Sequence, residues 1–518
     1  MNTIKRWGIF EIVLGELREC ALGDNPYTDY QIEATFQNKN EQKKVRGFYM
    51  GDRRFAVRFM PSFTGMYRYE IFGGLTGETS VCLKKGEFAV EEPEAGVHGP
   101  LHVQRQYHFA HADGTPYIEC GTTCYAWLHQ SEEMRRKTME TLSKSPFNKI
   151  RFCVFPKHYD YNLYEPDTYP YEGTPCSIEK INKENFCEYT PDNPENHWDF
   201  YRFSEKHFAI MDRYIGELME QGIEADIILF HPYDRWGFSQ MGREADAFYL
   251  RYMIARYGAY RNVWWSLANE YDLFRKKTKE DFQYIAEVIV KEDCYAHLRS
   301  IHNCFNIYDF TEDWVTHCSI QRTEIYTSAA LTKTWREKYG KPVVLDEVGY
   351  EGNINHFWGN LTAEEMVRLF WMAAVRGGYC GHGETYLGNR DAETGRELLW
   401  WSHGGRLYGE SGKRLQFLMD ILKEVPGHYL KPANLRGWND NDATAEDESY
   451  EGKYYLCYTG NYRPGFRDFY FDDHTRFQVS VIDTWNMTIE DAGVHSGKFY
   501  INLPSRPYMA IRLQSVEQ

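Results

Sequence analysis

The sequence lacks the short motifs that carry several common chemistries. It contains no Gly-x-x-x-x-Gly-Lys-Ser/Thr phosphate loop, no His-Glu-x-x-His zinc helix and no Gly-x-Ser-x-Gly nucleophile elbow. His108 and His111 have a spacing that two metal ligands could use, but they flank a predicted turn. We therefore expect no metal and no other cofactor.

Long apolar runs are also missing. No segment is long and apolar enough to span a bilayer, and the first residues lack the apolar stretch and cleavage site of a secretory signal. The 12 cysteines do not have the spacing of a small disulfide scaffold, and several fall in predicted strands: Cys120, Cys153, Cys304, Cys318 and Cys380. These features predict a cytoplasmic protein with reduced thiols and no membrane partner.

The charge and the aromatic content narrow the choice of partner. A formal net charge of −16 argues against nucleic acid or an anionic membrane surface. Aromatic residues make up 16% of the chain, with 40 Tyr and 14 Trp, and they supply flat surfaces for stacking on sugar rings. Most of them are expected to fill cores instead. The oligomeric state cannot be read from the sequence.

The pattern of strands and helices divides the chain into three parts. Residues 1–96 are β-rich, and the alternation of Phe55, Val57 and Phe59 with polar neighbours predicts a strand of a small sandwich. A charged run rich in Pro and Gly marks the first boundary. Strand-like runs return after residue 426, so we expect a second β-sandwich over residues 426–518.

Residues 97–425 alternate between strand and helix, which predicts an α/β fold of the (β/α)8 TIM barrel type. Strand-like runs begin near Tyr117, Asn148, Ile223, Asn262, Arg299, Val315, Val343 and Gly378. Amphipathic stretches over 204–221, 243–258, 278–292 and 362–376 separate most of them. The connection between the fifth and sixth strands is too short for more than a rudimentary helix.

Two of these apolar runs end in a carboxylate. The fourth closes with Leu267-Ala268-Asn269-Glu270, and the seventh closes with Asp346-Glu347. Active sites of such barrels form at the carboxyl ends of the strands. A glycosidic oxygen is a poor leaving group, so one carboxylic acid must protonate it while a second carboxylate attacks or stabilises the anomeric carbon. The alternative is that both residues cap strands or pair with cations.

These residues resemble those of the clan-A retaining glycoside hydrolases, whose catalytic domain is a (β/α)8 barrel. The wider layout is similar to the apiosidase-like proteins, often described as domains of unknown function, β-xylosidases or endoglucanases, with an immunoglobulin-like N-terminal domain. The similarity includes a Gly-Thr-Thr-x-Tyr-x-Trp first strand, residues Gly121, Thr122, Thr123, Tyr125 and Trp127.

The resemblance implies roles for four residues. Glu270 would be the acid/base, Glu347 the nucleophile, and Asn269 a hydrogen-bonding partner of the substrate's 2-hydroxyl. Arg151 would pair with Glu347 and keep it ionised. Roughly 5–5.5 Å between the carboxyl groups would make the enzyme retaining. Asp346 is the rival nucleophile, but successive strand residues point to opposite faces, so it is assigned to a salt bridge or loop cap.

Further substrate contacts are predicted at the other strand ends, each of which could instead be structural. The polar candidates are His231, His302, Gln321, Tyr326, His382 and Glu384. The stacking candidates are Trp127, Trp236 and Trp358. The clan pattern places an aromatic residue near the sixth strand, and Tyr326 is the candidate for that position.

A 47-residue segment, 157–203, separates the second strand from its helix. A connection of this length is usually functional or disordered, and its Pro and aromatic content favours an ordered lid. A lid would make a pocket and exo-action on short oligosaccharides, with a pentoside such as a β-xyloside, arabinofuranoside or apioside as the favoured substrate. The alternative function is a non-catalytic carbohydrate-binding barrel.

Overall fold

The barrel predicted from the sequence is present in the computed structural model, which describes residues 2–15, 24–322, 324–392, 394–435 and 441–516. Its eight parallel strands are β1 (Gly121–Thr123), β2 (Lys149–Cys153), β3 (Glu224–Phe230), β4 (Val263–Ala268), β5 (Arg299–Ser300), β6 (Cys318–Gln321), β7 (Val343–Glu347) and β8 (Tyr379–His382). They are hydrogen-bonded in the order β5-β4-β3-β2-β1-β8-β7-β6. A parallel bridge between His302 and Ser319 nearly closes the ring.

Helices cover the outside of this ring. They are α1 (Glu132–Leu142), α2 (Glu205–Glu220), α3 (Arg243–Tyr257), α4 (Lys279–Glu292), α5 (Thr332–Tyr339), α6 (Ala363–Val375), α7 (Trp400–His403) and α8 (Ser411–Lys423). The hydroxyls of Ser131, Ser204 and Thr362 accept backbone N–H groups at the starts of α1, α2 and α6. Residues 301–317, between β5 and β6, contain no helix, as their short length predicts.

The covering helices explain why the long strands are buried throughout and largely apolar, with Glu224 and Asp226 at the start of β3 as the charged exceptions. Every residue of β3 and β4 is buried, because one face meets helices and the other meets the barrel interior. Alternating polar positions would place polar side chains against the helices. The continuous runs seen in the sequence are therefore the pattern that this architecture requires.

A three-stranded antiparallel sheet closes the amino-terminal end of the barrel. Its strands are Leu101–Gln104, His108–His111 and Pro116–Tyr117. Leu101, Phe109 and Tyr117 pack against Trp264 of β4 and Tyr379 of β8. His108 Nδ1 lies 2.8 Å from the Tyr379 hydroxyl, which gives this buried histidine a structural partner.

The N-terminal part is a sandwich of two sheets. One consists of Asn2–Lys5, Tyr30–Gln37, Gln42–Arg46, Gly65–Leu75 and Val81–Glu91, and the other of Phe10–Leu14, Phe48–Gly51 and Arg54–Phe59. Phe36 and Phe88 of the first sheet share a core with Phe10 and Phe59 of the second. Arg58 joins the sandwich to α2 through an ion pair with Asp212 at 2.9 Å. The immunoglobulin-like assignment stays a prediction.

The C-terminal part contains a six-stranded sheet and a two-stranded sheet. The larger one comprises Leu430–Ala433, Asp442–Ala445, Tyr454–Tyr458, Arg476–Asp483, Thr488–Ser496 and Met509–Ser515, and the smaller one comprises Phe466–Tyr470 and Lys498–Asn502. Phe469, Phe477 and Ile511 lie in their common core. The Trp371 ring of α6 stacks on Tyr458 at 5.4 Å. The two domain boundaries remain predictions.

Short elements at the carboxyl end of the barrel complete the fold. The strand pairs are Tyr171–Thr174 with His197–Phe203, Glu351–Gly352 with Glu384–Thr385, and Asn389–Arg390 with Glu397–Leu398. Among the helices in the described residues, none has the length and apolar character needed to cross a bilayer. Eleven cysteines in the described part of the chain are free thiols. Of those expected in strands, Cys120, Cys153, Cys318 and Cys380 are buried.

Candidate active site

Glu270 lies directly after β4 in a strained backbone conformation. Its φ of 49° and ψ of 55° are left-handed, a region that non-glycine residues rarely occupy. The flanking N–H groups fix this turn, because Asn269 N donates to Phe230 O at 2.9 Å and Tyr271 N donates to His302 O at 2.9 Å. Such strain costs on the order of 1–3 kcal/mol and persists where the surrounding structure imposes it. Glu270 is thus held in one orientation at the carboxyl end of the barrel.

Glu270 and Glu347 are connected through Asn269 and Arg151. Asn269 Nδ2 donates to Glu270 Oε2 at 3.2 Å, and Asn269 Oδ1 accepts from Arg151 Nη2 at 3.3 Å. The other terminal nitrogen of Arg151, Nη1, lies 3.6 Å from Glu347 Oε1. The four residues predicted to carry the chemistry therefore lie together.

A second connection runs through Gln321 and His302. Gln321 Nε2 donates to Glu270 Oε1 at 3.3 Å, and Gln321 Oε1 lies 3.1 Å from His302 Nε2. His302 Nε2 is in turn 3.6 Å from Glu347 Oε1. With the first connection this closes a ring of six residues, which we call the carboxylate ring: Glu270, Asn269, Arg151, Glu347, His302 and Gln321.

A layer of buried charges supports the carboxylate ring from below. Lys149 Nζ lies 2.9 Å from Asp346 Oδ1 and 3.1 Å from Glu119 Oε1. Arg151 Nε lies 3.4 Å from Asp226 Oδ2 and 3.8 Å from Asp346 Oδ1. Buried charges are tolerated when they are paired in this way. The pairing fixes the Arg151 guanidinium, which in turn contacts Glu347 and Asn269.

Burial dominates the protonation of Glu347. It raises the pKa of this carboxyl to about 8, while an interaction with the Tyr350 hydroxyl acts in the opposite direction. Burial lowers the pKa of His302 to about 3, so this imidazole is neutral. His302 Nδ1 lies 3.0 Å from Ser319 Oγ, and Ser319 donates its hydroxyl to Asp346. The ring thus contains one cation, Arg151, beside Glu347.

The structure confirms a salt bridge for Asp346 but corrects the geometric reason given for it. Strict alternation would turn Asp346 and Glu347 to opposite faces, whereas both carboxylates lie within 4 Å of Arg151, at 3.8 Å and 3.6 Å. The register between β6 and β7 shifts here: Ser319 pairs with Val344 and Gln321 pairs with Glu347. The extra residue on β7 is a β-bulge, which re-aims the following side chain.

Aromatic side chains surround the carboxylate ring. We call Tyr125, Tyr159, Tyr350, Trp358 and Trp401 the aromatic wall. The Tyr125 hydroxyl donates to Asn269 Oδ1 at 3.1 Å, and the rings of Trp358 and Trp401 are 5.0 Å apart. Tyr350 and Trp401 were not among the residues predicted from the sequence. The two adjacent tryptophans after β8, Trp400 and Trp401, were the sequence feature from which an aromatic contribution to the site could have been predicted.

Three predicted substrate contacts lie elsewhere. Trp127 is fully buried and packs edge-on against Phe152 and Tyr214, so its ring is not a stacking surface. Tyr326, the aromatic residue expected near β6, is 84% exposed, whereas Tyr350 after β7 lies in the aromatic wall. His382 stacks on Phe147 at 4.6 Å and is 3.1 Å from Thr122 Oγ1.

Glu384 and His231 also have structural partners. Glu384 accepts the backbone N–H of Tyr408 at 2.6 Å, and burial raises its pKa to about 8. His231 Nε2 is 3.1 Å from the Phe155 carbonyl oxygen, and its imidazole is buried. Trp236 is likewise buried, with the Arg235 guanidinium 4.4 Å from its ring centre. Of the three tryptophan candidates, only Trp358 lies beside the carboxylate ring.

Glu351, His382 and Glu384 form the one group in the described residues whose spacing could suit a metal ion. The carboxylates of Glu351 and Glu384 already accept backbone N–H groups before the start of α8. One of these bonds runs from Glu410 N to Glu351 Oε1, at 2.7 Å. The Ser411 hydroxyl also donates to Glu351. Carboxylates at a helix N-terminus stabilise it through these bonds and the helix dipole. These contacts therefore stabilise the start of α8.

Residues 157–203 fold over one side of the mouth. Their antiparallel pair, Tyr171–Thr174 with His197–Phe203, packs Tyr171 against Phe238 at 5.6 Å. A cavity of about 170 Å³ lies between this segment and the loops after β3 and β4, and is lined by residues that include His158, Phe186, Tyr233, Phe274 and Lys276. Tyr233 lines this cavity and is electrostatically linked to the site, because burial and then the charge of Glu270 raise the pKa of its hydroxyl.

The comparisons with known proteins match this architecture. The family model for the apiosidase-like catalytic domain matches residues 103–391, and two domains of unknown function, DUF5060 and DUF5605, match residues 3–72 and 438–514. No match was found among curated protein sequences.

Solved structures include a relative of the same length. The crystal structure of a "putative glycoside hydrolase" from Bacteroides vulgatus ATCC 8482 is 34% identical, with a TM-score of 0.87 and 100% of each chain covered. A glycoside hydrolase family 5 structure from the same organism is 14% identical, with a TM-score of 0.60 over 81% of this chain and 94% of its own, and it shows the fold alone. By its family match and its full-length relative, the chain belongs to the apiosidase-like glycoside hydrolases.

Proposed function

We propose that the protein is a retaining, exo-acting glycoside hydrolase that cleaves short oligosaccharides or glycosides derived from plant polysaccharides, with a pentoside as the favoured substrate. The observation that carries this proposal is the carboxylate ring. Two glutamates from β4 and β7 are tied together through an amide and a guanidinium on one side, and through an amide and an imidazole on the other.

The mechanism assigns a separate task to each glutamate. Glu270 donates its proton to the glycosidic oxygen while the Glu347 carboxylate attacks the anomeric carbon, so the leaving group departs as an alcohol. Glu270 then removes a proton from water, which attacks the same carbon and releases Glu347. The Arg151 guanidinium, 3.6 Å from Glu347, favours the carboxylate that the first step needs.

The lid supports exo-action. Residues 157–203 contribute Tyr159 to the aromatic wall and Phe186 to the cavity beside Tyr233. At about 170 Å³ that cavity is smaller than the usual range for drug-sized ligands. A short leaving group fits such a space better than a long polysaccharide chain, which would need an open groove.

Hydrolysis of aryl glycosides by the native enzyme and by Glu347→Gln tests the proposal. The panel contains a β-xyloside, an α-L-arabinofuranoside, a β-apioside, a β-glucoside, a β-galactoside and a β-mannoside. We expect turnover of a pentoside that is lost in Glu347→Gln. Glu324→Gln is the matched control, because Glu324 contacts Arg322 and Thr327 in the loop after β6. Equal activity in the native enzyme and Glu347→Gln would remove Glu347 from the mechanism, and sugar binding without turnover would indicate a non-catalytic barrel.

A further inference from the structure

Lys157 occupies an unusual place at the start of the lid. The residue is only 3% exposed, and its Nζ lies over the rings of four aromatic residues. The distances to the ring centres are 4.0 Å for Tyr125, 4.2 Å for Trp401, 4.3 Å for Tyr233 and 5.5 Å for Tyr159. We call these four rings the lysine cage. Three of them also belong to the aromatic wall around the two glutamates.

The other buried lysines show what Lys157 lacks. Lys149 Nζ is 2.9 Å from Asp346 Oδ1, and Lys277 Nζ pairs with Asp246 and donates to the Met241 carbonyl at 3.0 Å. In the described part of the chain, Lys157 Nζ has no such ion pair or hydrogen bond to oxygen. An ammonium carries three N–H donors, and aromatic faces compensate its charge without accepting those protons conventionally. Its donors are therefore left for a group that the protein itself does not supply.

The lysine cage lies against the catalytic acid. Tyr125 donates to Asn269, which donates to Glu270, and burial raises the pKa of the Tyr233 hydroxyl, an effect that the charge of Glu270 increases. Burial lowers the pKa of Lys157 to about 8, and the charge of Glu270 acts in the opposite direction. The other titratable groups that face Lys157 are Cys153, Asp160, Arg151, His231 and His403.

We infer that Lys157 is a substrate-binding residue whose ammonium donates hydrogen bonds to oxygen atoms of the sugar held between the aromatic wall and Glu270. This inference rests on the proposed glycosidase function and deepens it. A sugar ring stacked in the site offers hydroxyl oxygens as acceptors, and these oxygens accept the hydrogen bonds that the ammonium N–H groups donate. Because Lys157 is also the first residue of the lid, sugar binding and the position of the lid depend on the same side chain.

The test measures affinity where no turnover occurs. In the Glu347→Gln background, calorimetry gives the dissociation constant of the sugar whose aryl glycoside the native enzyme cleaves, with Lys157 present or changed to Met. Methionine keeps an apolar stem of similar length but has no donor. We expect binding to weaken about 10- to 100-fold, as for the loss of hydrogen bonds from a charged group. Lys183→Met is the matched control, because Lys183 also lies in the lid and over one ring, Tyr161, at 4.6 Å.

A pH series adds a readout that a purely structural lysine would not give. With Glu347 replaced by Gln, affinity should fall as the pH rises through about 8, where the Lys157 ammonium loses its proton. The Lys157→Met form should lose this dependence. Unchanged affinity in Lys157→Met, with or without a lower melting temperature, would show that Lys157 only packs the cage.

The failure of this inference is distinguishable from failure of the proposed function. If the native chain hydrolyses none of the panel, the glycosidase proposal fails, and calorimetry of the same sugars with the native chain and Lys157→Met then decides the role of Lys157. Weaker binding by Lys157→Met supports the role. Equal binding, or no binding by the native chain, overturns it.

Discussion

Tyr350 and Gly383 are packed so closely that a Cβ atom on Gly383 would fall 2.0 Å from Cδ1 of the Tyr350 ring. The ring is 2% exposed and is held on its other sides by Trp358 and Trp401, at 5.9 Å and 5.8 Å. The absence of a side chain at position 383 therefore sets the position of the Tyr350 ring, whose hydroxyl opposes the effect of burial on the pKa of Glu347.

Gly383→Ala should displace Tyr350 and lower both activity and stability. We expect the free energy of unfolding to fall by about 1–3 kcal/mol, as for other overpacked cores. The value of kcat/KM should fall at least as much as in Tyr350→Phe. Gly412→Ala is the control, because its Cβ would meet nothing within 4 Å and α8 would gain a better helix former. Chemical denaturation and kinetics on the same samples separate the two effects.

Tyr350→Phe should move the acidic limb of the kcat/KM profile to higher pH. The Tyr350 hydroxyl lowers the pKa of Glu347, which burial has raised to about 8. Without the hydroxyl the pKa rises further, so the reactive carboxylate forms only at higher pH. The Tyr161→Phe profile should match that of the native enzyme. A limb that stays in place in Tyr350→Phe would contradict the assignment of this limb to Glu347.

Glu347→Gln should be more stable than the native protein, and the difference should grow with pH. Burial raises the folded-state pKa of Glu347 from 4.5 to about 8, so its contribution to stability is fully present below the unfolded pKa and is lost as the pH rises through about 8. A neutral glutamine avoids this loss.

Melting temperatures at mildly acidic and mildly alkaline pH check this expectation. Glu324→Gln should behave in the opposite way, because hydrogen bonds with Thr327 and Arg322 lower the pKa of Glu324. A native protein that is more stable than Glu347→Gln at alkaline pH would show that Arg151 outweighs burial.

Arg151→Lys should reduce kcat far more than it changes the fold. One guanidinium contacts both Asn269 Oδ1 and Glu347 Oε1, and a single ammonium does not reproduce this fork. We expect a loss of about 10²–10³ in kcat, similar to removal of one preorganised donor. Arg322→Lys, at a half-buried position in the loop after β6, serves as control. Unchanged kcat would show that the ring connection through Arg151 is dispensable.

The stereochemistry of the product tests the retaining mechanism. Proton NMR during the first turnovers should show the same anomer as the substrate, before the free sugar equilibrates. Retention requires carboxyl groups roughly 5–5.5 Å apart, whereas inversion leaves room for a water at about 6.5–9.5 Å. The opposite anomer would change the role of Glu347 from nucleophile to general base.

The barrel could be predicted because its pattern is local. The apolar runs in β3 and β4 follow directly from burial on both faces, and the amphipathic stretches 204–221 and 362–376 begin within one residue of α2 and α6. The strand-end positions of Glu270 and Glu347 follow from the same pattern.

The direction of side chains at strand ends could not be predicted. The bulge on β7 changes the register by one residue and brings Asp346 and Glu347 to the same guanidinium, and no residue type marks it. Loop residues such as Tyr350, Trp401 and Lys157 reach the site through packing between segments far apart in sequence, which no periodicity encodes.

The small sheet formed by Leu101–Gln104, His108–His111 and Pro116–Tyr117 covers the amino-terminal end of the barrel, opposite to the carboxylate ring. In the retaining mechanism proposed above, the departing alcohol and the incoming water both use the carboxyl end of the barrel, in opposite directions. An alcohol that has not yet left blocks the incoming water. It also occupies the position from which its own hydroxyl could accept the glycosyl group. If the enzyme retains configuration, as proposed, the escape of the alcohol decides together with bond cleavage whether the glycosyl group passes to water or to another hydroxyl.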